Sequence, residues 1–489
     1  MARGSVNTGY TKQQGGINLT TSLIEAYRVA GGHNVTAGDF VEFLRVEEAG
    51  LYIDQSSPIN LGETVDFRNS AFAALDDSTF ILAEAKDYIL TAQVFKIENG
   101  DLRSGPKTQI ENYADGGYFT PGLPWIGAMS SSVAIVGFYK EGTFLGQTGA
   151  DNTYVASLSI DDVNITVGAI IGYGGRGFGF EGYRNPVQFI KITDTRFVLS
   201  GVKHNMVFPG ARFYYTLYSF KLLANGQPSL DSELLFSSSS HRGTTVYGHA
   251  QKLNNTNILC AFSVIQYNAS TDTSTKKDFA GTVYMDSSGR LASRQTIVVD
   301  NNSNEVGPVV TMVFPNNNAL VIHTYERSLN MEDSPKKIKF DFISINPVTF
   351  VISLSARKTS YFSYRIDGTV HPNKFVQCGI DSFLGFIPAA NKIIKFSVSF
   401  SAREVYFADP FSSLEGDVPQ GKMGTLAQWA GNEFVSLVQF LSSSFTSTQI
   451  TLLDINTSDH IKRSTEKGSI IGVAKESGME HQVIDIYTL

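Results

Sequence analysis

Two neighbouring stretches of the chain read "PVQFIKITDTRFVLSGV" (186–202) and "RFYYTLYSFKLLANGQPSLDSELLF" (212–236). Apolar and polar residues alternate through four segments of these stretches, as they do in half-buried strands. The polar links "TDT" and "ANGQ" are short and consist mostly of turn-forming residues. The two stretches therefore predict four strands, A to D, with tight turns between A and B and between C and D.

The same pattern recurs along the whole chain. Candidate B strands begin at residues 79, 132, 196, 257, 319, 382 and 433, which is an interval of about 50 to 65 residues. A C strand follows each of them, as in "YILTAQVFKI" and "IKFDFISI". We therefore predict an all-β fold, a seven-bladed β-propeller of four-stranded antiparallel blades. An array of two-sheet β-sandwiches is the alternative, and it does not explain the regular spacing.

Both ends of the chain carry a shorter pattern of strand, glycine-containing turn and strand. The two segments are "SLIEAYRVAGGHNVTAGDFVEFLRV" (22–46) and "IIGVAKESGMEHQVIDIY" (470–487). A lone two-stranded hairpin is only marginally stable in water. We therefore predict one small β-domain formed by the N- and C-terminal hairpins. The predicted domains are a flexible N-terminal arm (1–16), a discontinuous small β docking domain (17–60 and 468–489) and the β-propeller (61–467).

The connections between strands predict where a ligand would bind. The A–B and C–D links are short, and we expect the B–C and D–A links to be long, which places all long loops at one face. The D–A loops are rich in glycine and aromatic residues. Aromatic faces beside Arg and His donors suit sugar rings, acidic glycans or a protein partner. The candidate binding residues are Tyr118, Trp125, Tyr173, Arg176, Phe178, Tyr183, Arg184, His241, Arg242, Tyr247 and His249.

A second interpretation of these loops is that their aromatic residues pack against one another and plug the channel. His323 lies in a strand-like segment, and we expect it to be a hydrogen-bonded wall residue. Cys260 and Cys378 each lie in apolar segments and are expected to be small buried side chains.

The composition limits the classes of partner. A net charge of −7, without a long basic run, predicts no nucleic-acid partner. The first residues lack the apolar core of a secretory signal, and no window of about 18 apolar residues occurs, so we predict no secretion and no membrane insertion.

Two sets of residues suggest a cofactor or metal site but lack the features that such a site needs. Gly172, Gly174 and Gly177 match the dinucleotide-binding pattern, but no helical pattern follows them. His241 and His249 do not have the spacing of zinc ligands. We therefore predict no cofactor and no metal.

The terminal segments carry a resemblance. "NVTAGDFVEFL" and "IIGVAKESGMEHQVIDIY" resemble the V-x-x-G-D-x-V … G-V-A-x-x-x-G … V-x-V pattern of small β-domains in tailed-bacteriophage virion proteins of the tail, fibre and decoration types. The match covers only the chain ends, and the pattern's usual final glycine is missing. The resemblance implies a structural protein of the virion, made in the host cytoplasm, with no catalytic residue. It implies other virion subunits as partners and a homo-oligomer in the particle.

The resulting expectation is a tail or head-appendage protein whose propeller binds a host receptor or glycan, or a neighbouring virion subunit. Two alternatives stay open. A glycan-active propeller enzyme needs two carboxylates near the axis, and Glu181 is the one acid that the sequence marks there. A cytoplasmic interaction scaffold needs a cellular partner and no association with particles.

Overall fold

A computed structural model gives the fold. It describes residues 24–29, 33–43, 50–60, 70–76, 78–86, 89–98, 101–112, 124–144, 147–174, 187–207, 210–236, 246–268, 273–300, 309–324, 336–362, 375–377, 381–387, 392–407, 421–430, 433–441, 446–456, 461–464, 470–478 and 483–488.

The described residues form β-strands joined by turns. The first strands are β1 (Ile24–Arg28), β2 (Phe40–Phe43), β3 (Gly50–Asn60), β4 (Ser70–Ala74), β5 (Thr79–Lys86), β6 (Ile89–Glu98), β7 (Asp101–Ser104), β8 (Thr108–Asn112), β9 (Trp125–Ser130), β10 (Val133–Phe144), β11 (Gln147–Asp161), β12 (Asn164–Gly174), β13 (Gln188–Thr193), β14 (Arg196–Val207), β15 (Gly210–Leu222), β16 (Pro228–Phe236) and β17 (Val246–Lys252). The remaining strands are β18 (Asn257–Asn268), β19 (Thr273–Met285), β20 (Leu291–Asp300), β21 (Val309–Phe314), β22 (Asn318–Thr324), β23 (Lys336–Ile345), β24 (Ile352–Phe362), β25 (Phe375–Gln377), β26 (Ser382–Ile387), β27 (Lys392–Ser399), β28 (Glu404–Phe407), β29 (Gly421–Ala430), β30 (Glu433–Leu441), β31 (Thr446–Asn456), β32 (Ile461–Arg463), β33 (Gly472–Ala474) and β34 (Val483–Thr488).

Seven antiparallel sheets follow one another along the chain, which confirms the predicted all-β propeller. We number these blades I (β4–β8), II (β9–β12), III (β13–β16), IV (β17–β20), V (β21–β24), VI (β25–β28) and VII (β29–β31 with β3). The seven predicted B strands are β5, β10, β14, β18, β22, β26 and β30. The first strands of successive blades contact each other from blade I to blade V and from blade VI to blade VII, β29 contacts β4, and blades V and VI share a buried cluster. The inner strands therefore close into a ring.

Apolar packing between consecutive blades holds this ring together. Each of five buried clusters takes its side chains from two neighbouring blades, in the pairs I with II, II with III, III with IV, IV with V, and V with VI. Trp125 of blade II, for example, stacks on Phe189 of blade III with ring centroids 6.4 Å apart. Alternation along each strand thus places apolar side chains on both faces of a blade, where each face meets a neighbour.

The outer strand of blade I is divided into two short strands. β7 pairs with residues 95–98 of β6, and β8 pairs with residues 89–92 of the same strand. Pro106 lies between them and has no backbone N–H to donate. Beside it, a Cβ at Gly105 would lie 1.9 Å from the carbonyl oxygen of Val163, so glycine is required for the close approach of blade II.

A five-stranded sheet combines both chain ends, as predicted. Its strand order is β1-β34-β33-β2-β32, and each named pair is antiparallel. β33 and β34 form the predicted C-terminal hairpin, whereas β1 and β2 are separated in the sheet by that hairpin. β32, which precedes the predicted boundary at residue 468, is also part of this sheet. Val29, Val41, Ile461 and Ile486 are fully buried in its apolar core.

The chain divides into two compact units. One contains Met1–Pro58, Asn432–Phe434 and Thr451–Leu489, and the other contains Ile59–Gly431 and Val435–Ile450. The predicted domain boundaries stay a prediction, and the arm at 1–16 lies outside the described residues.

The expectation of long B–C loops is wrong for every blade except V, since only the link from β22 to β23 exceeds four residues. β14 ends at Val207 and β15 begins at Gly210, and these two residues are paired in register. The connections from β5 to β6 and from β10 to β11 are equally short. The B and C strands continue past their apolar segments because backbone pairing does not require apolar side chains. The D–A connections, which were also expected to be long, are long after every blade.

Candidate ligand-binding channel

A cavity of about 570 Å³ lies where the inner strands of the propeller meet. Its described wall consists of residues 70–73, 124–127, 187–191, 249–252, 310–312 and 375–377, which belong to the inner strands of blades I to VI. Pockets of about 300 to 1,000 Å³ are typical of small-molecule sites. The cavity therefore has the dimensions of a ligand site.

Polar side chains of the wall cross from one inner strand to the next. The amide of Gln188 in blade III donates to the carbonyl of Gly248 in blade IV, over 3.4 Å. In return, the ammonium of Lys252 donates to the carbonyl of Ile192 over 2.7 Å. An inner strand is an edge strand, so its backbone groups on the channel side have no further strand to pair with. These side chains supply the missing partners.

His249 makes the corresponding contact between blades IV and V. The backbone N–H of Thr311 donates to Nδ1 of His249 over 3.2 Å, and the Thr311 hydroxyl lies 2.7 Å from the same nitrogen. Burial lowers the pKa of His249 to about 3, so the ring is neutral at pH 7. Because Nδ1 accepts a hydrogen bond, the proton of the neutral ring is on Nε2. His249 is also one of the residues that line the cavity.

Two predicted binding residues have a packing role. Trp125 is 4% exposed and Tyr247 is fully buried, each in a cluster between two blades. A Cβ at Gly137 would lie 1.8 Å from Cζ2 of Trp125, so the indole occupies the space above this glycine. Both rings pack, as in the second interpretation, and Trp125 also lines the cavity, so its binding role stays a prediction.

Tyr173 is not at the propeller axis, and this corrects its predicted position. It lies on β12, the outermost strand of blade II. Its hydroxyl donates to the carbonyl of Pro228 over 3.0 Å, and its ring meets that of Phe220 edge to face. Burial raises the pKa of Tyr173 to about 12. The residue therefore joins blade II to blade III and does not face a ligand at the axis.

The other predicted site residues lie outside the described residues. They are Tyr118, Arg176, Phe178, Tyr183, Arg184, His241 and Arg242. Three other residues named in the sequence analysis also lie outside the described residues: Gly177, Glu181 and Cys378. Gly172 and Gly174 lie in strand β12, which is not the strand-to-helix turn of a dinucleotide site. Cys260 is buried as expected, and burial raises its pKa to about 12.

Sequence reasoning missed a buried ionic network between blades IV and V. His323, confirmed as a hydrogen-bonded wall residue, has its Nε2 2.7 Å from Oδ2 of Asp341 and its Nδ1 3.6 Å from Oδ2 of Asp278. Arg357 contacts Asp341 through Nε at 2.6 Å and Asp300 through Nη1 at 2.7 Å. Burial raises the pKa of Asp341, but the hydrogen bonds from His323 and Arg357 outweigh it, so the pKa is lowered.

The charged residues of the cavity wall are cationic. Among the described wall residues, Lys191 and Lys252 carry charge and none is Asp or Glu. The two-carboxylate arrangement that the glycosidase alternative requires is thus not found in this part of the wall. Within the described ranges no group of three His, Cys, Asp or Glu side chains could hold a metal ion. The same ranges contain no helix with the length and apolar character needed to cross a bilayer.

Comparisons with known proteins agree with the fold. No protein-family model and no curated protein sequence matches the chain. The polysaccharide lyase Uly1 is similar in structure over 87% of this chain and 99% of its own, with a TM-score of 0.50 and 10% identity. The Pseudomonas aeruginosa periplasmic gluconolactonase PpgL (79% and 96% coverage, TM-score 0.42, 10% identity) and a Penicillium chrysogenum α-L-arabinanase (86% and 98%, 0.38, 10%) are also similar. At these identities the likeness shows the β-propeller fold alone.

Proposed function

We propose that this β-propeller is a structural protein of a tailed-bacteriophage particle, in the tail or a head appendage. The terminal β-sheet attaches it to other virion subunits, and the propeller presents its loop-bearing face to a host receptor or glycan, or to a neighbouring subunit. The proposal assigns no catalytic role, no cofactor and no nucleic-acid partner. It places the protein in the virion as a homo-oligomer.

One observation carries the proposal. The two segments that resemble virion β-domains, from opposite chain ends, are bonded to each other in a single sheet. The N–H of Ala474 donates to the carbonyl of Asp39 over 2.9 Å, and that of Ile471 donates to the carbonyl of Val41 over 2.9 Å. The halves of the pattern thus form the kind of unit that the resemblance implies, although they are far apart in sequence.

The surface of this sheet supports an attachment role. Ile24, Phe40 and Phe43 are 51%, 44% and 37% exposed, and all three lie on β1 or β2. Among the described residues, β1 and β32 lie at the two sides of this sheet. Exposed apolar side chains on a sheet are typical of a surface that meets another protein.

The arrangement of connections supports a binding role for one face of the propeller. Successive links in an antiparallel blade alternate between its two ends, so the D–A links of all blades emerge at the same end. These links are long, whereas the A–B and C–D links contain a few residues each. Long links at one end give a variable surface on a rigid scaffold, which is the usual setting of recognition.

Incorporation into particles tests the attachment role. We would complement a phage that lacks the gene with the wild-type protein, with Phe43→Ser, or with Val348→Ser as a matched control. Val348 is 82% exposed on a turn of blade V, far in sequence from the terminal sheet. Phe43→Ser is expected to reduce the amount of protein in purified particles, and Val348→Ser is expected to leave it unchanged. Equal incorporation of all three would contradict attachment through the exposed Phe43 side chain.

A further inference from the structure

The sheet formed by the two chain ends carries a row of apolar residues on one face. Ile24 is paired with Tyr487, Tyr487 with Val473, and Val473 with Phe40. Directly paired residues on neighbouring strands point to the same face of a sheet. The row therefore crosses β1, β34, β33 and β2 in one line, over about 14 Å.

This face is not the one that forms the apolar core of the sheet. Val41, Ala474 and Ile486 are buried in that core, and each is the chain neighbour of a residue in the row. Side chains alternate between the two faces along a strand, so the row points away from the core. Ile24 and Phe40, at the two ends of the row, are 51% and 44% exposed. The row is therefore an apolar surface that is open at both ends.

A pair of opposite charges lies beside the row on the same face. Asp485 is two residues from Tyr487 and Lys475 is two residues from Val473, so both follow the alternation of the row. The N–H of Lys475 donates to the carbonyl of Asp485 over 3.0 Å, which places the two residues opposite each other. Their charged groups are 3.1 Å apart, and both side chains are 40% exposed. An acidic group on β34 and a basic group just after β33 thus flank the apolar row.

We propose that this face binds the same face of a second copy of the chain. A two-fold axis that runs between β33 and β34, parallel to these strands, exchanges the two strands. It places Tyr487 of one copy over Val473 of the other. It also places Ile24 of one copy over Phe40 of the other. The apolar row is therefore complementary to itself.

The same axis brings opposite charges together. Asp485 of each copy lies over Lys475 of the other copy, so association creates two further contacts between opposite charges. Like charges on facing surfaces oppose association, and a face with one sign of charge would repel its own copy. The arrangement of these two charges therefore favours a second copy as the occupant of this face.

The small size of the face limits the strength of the contact. A row of four side chains with one charged pair is too small to bury the area of about 1,200 Å² that stable interfaces exceed. We therefore expect a weak dimer in solution, strengthened where many copies are held together. The inference deepens the proposed function and rests on it for its setting in a particle, whereas the contact itself is measured on the purified protein.

Sedimentation velocity of the purified full-length protein over a range of concentrations tests the contact. The wild-type protein should shift from monomer to dimer as the concentration rises. Phe40→Ser is expected to weaken this association at least about tenfold, because it removes a large apolar side chain from the row. Leu235→Ser is the matched control, since Leu235 is also 44% exposed but lies on β16 of blade III. It should leave the association unchanged.

Charge reversal identifies the second copy as the partner. Lys475→Asp gives two carboxylates beside the row and Asp485→Lys gives two ammonium groups, so each variant alone should remain monomeric. An equimolar mixture of the two variants should dimerise, because an acidic copy then meets a basic copy. The ion pair within one chain is exposed and contributes little to stability, so both variants should fold, which circular dichroism checks.

Three results would overturn the proposal: a wild-type protein that is monomeric at every concentration, equal association of Phe40→Ser and Leu235→Ser, or a mixture of the charge variants that does not dimerise. A monomeric protein whose Phe40→Ser variant is also lost from particles would assign the face to another virion subunit instead. Dimerisation through this face by a protein that is absent from particles would support the contact and contradict the proposed function.

Discussion

Gly38 and Ala474, which lie near opposite ends of the chain, are hydrogen-bonded through their backbones, with the N–H of Gly38 donating to the carbonyl of Ala474 over 2.8 Å. The N–H of Ala474 then donates to the carbonyl of the next residue, Asp39. Gly38 has a φ of +91°, which an L-residue rarely adopts. A glycine turn in one terminal segment thus sets the register with the other.

Gly38→Ala tests whether this turn sets the sheet. No atom lies within 4 Å of a Cβ at this position, so the cost is backbone strain alone, about 1 to 2 kcal/mol. Hydrogen exchange should become faster in residues 33–43 and 470–478 together. Gly38→Asn is the control, because Asn tolerates positive φ better and should have a smaller effect. Faster exchange in residues 33–43 alone would show that the two segments are not coupled.

Removal of the Arg357 charge should destabilise the propeller strongly. Arg357→Met leaves Asp341, which is fully buried, without its guanidinium partner, and loss of one member of a buried pair costs about 3 to 5 kcal/mol. Lys358→Met is the matched control on the same strand, because its ion pair with Glu404 is about 40% exposed on both sides. That pair should contribute at most about 1 kcal/mol. Similar unfolding free energies in denaturant for both variants would refute the buried network.

The protein should lose stability as the pH is lowered, because His249 is neutral in the folded state and becomes protonated when the chain unfolds. Its pKa is lowered to about 3 in the folded state, and an unfolded histidine titrates near 6.5. Between these values the unfolded chain binds one more proton than the folded chain, so the unfolding free energy decreases as the pH falls below about 6.5.

His249→Asn isolates this effect. The Asn carbonyl can accept the Thr311 N–H bond without titrating, so the variant should lose less stability than the wild type between pH 7 and pH 5. Denaturant unfolding at both pH values measures the difference. An equal loss in the two proteins would mean that His249 is not held neutral.

Gly137 and Trp125 should be energetically coupled. Gly137→Ala places a methyl group within 1.8 Å of the indole, and overpacking of this kind costs about 1 to 3 kcal/mol. In a Trp125→Leu background the same substitution should cost less, because the smaller side chain leaves room. A double-mutant cycle measured by thermal unfolding gives the coupling. Additive effects would show that Trp125 does not pack on this glycine.

The sequence predicts the strands of the propeller well because their faces are defined by alternation. Each B strand, such as β14 or β22, lies in the interior of a blade and has an apolar central segment. The ends of strands were not predictable in the same way. Lys203, His204 and Asn205 continue β14 with polar side chains, since backbone pairing extends the strand beyond its apolar part.

The sequence predicts only part of the candidate site, because the residues of its wall come together only when the blades close into a ring. Its wall combines Ser70, Gln188, His249 and Lys252 from three blades, and their proximity depends on closure of the ring. A local signal exists nevertheless, because these polar residues interrupt otherwise apolar A strands. Tyr173 was misplaced because its glycine-rich surroundings suggested a loop, whereas residues 164–174 pair as an outer strand.

Mass spectrometry of density-purified phage particles tests the central claim most directly. If the protein is attached through the sheet that joins Gly38 to Ala474, it should remain with the particles at a constant ratio to the other virion proteins across the gradient. A protein that is abundant in the infected-cell lysate but absent from the particle fractions would contradict the account.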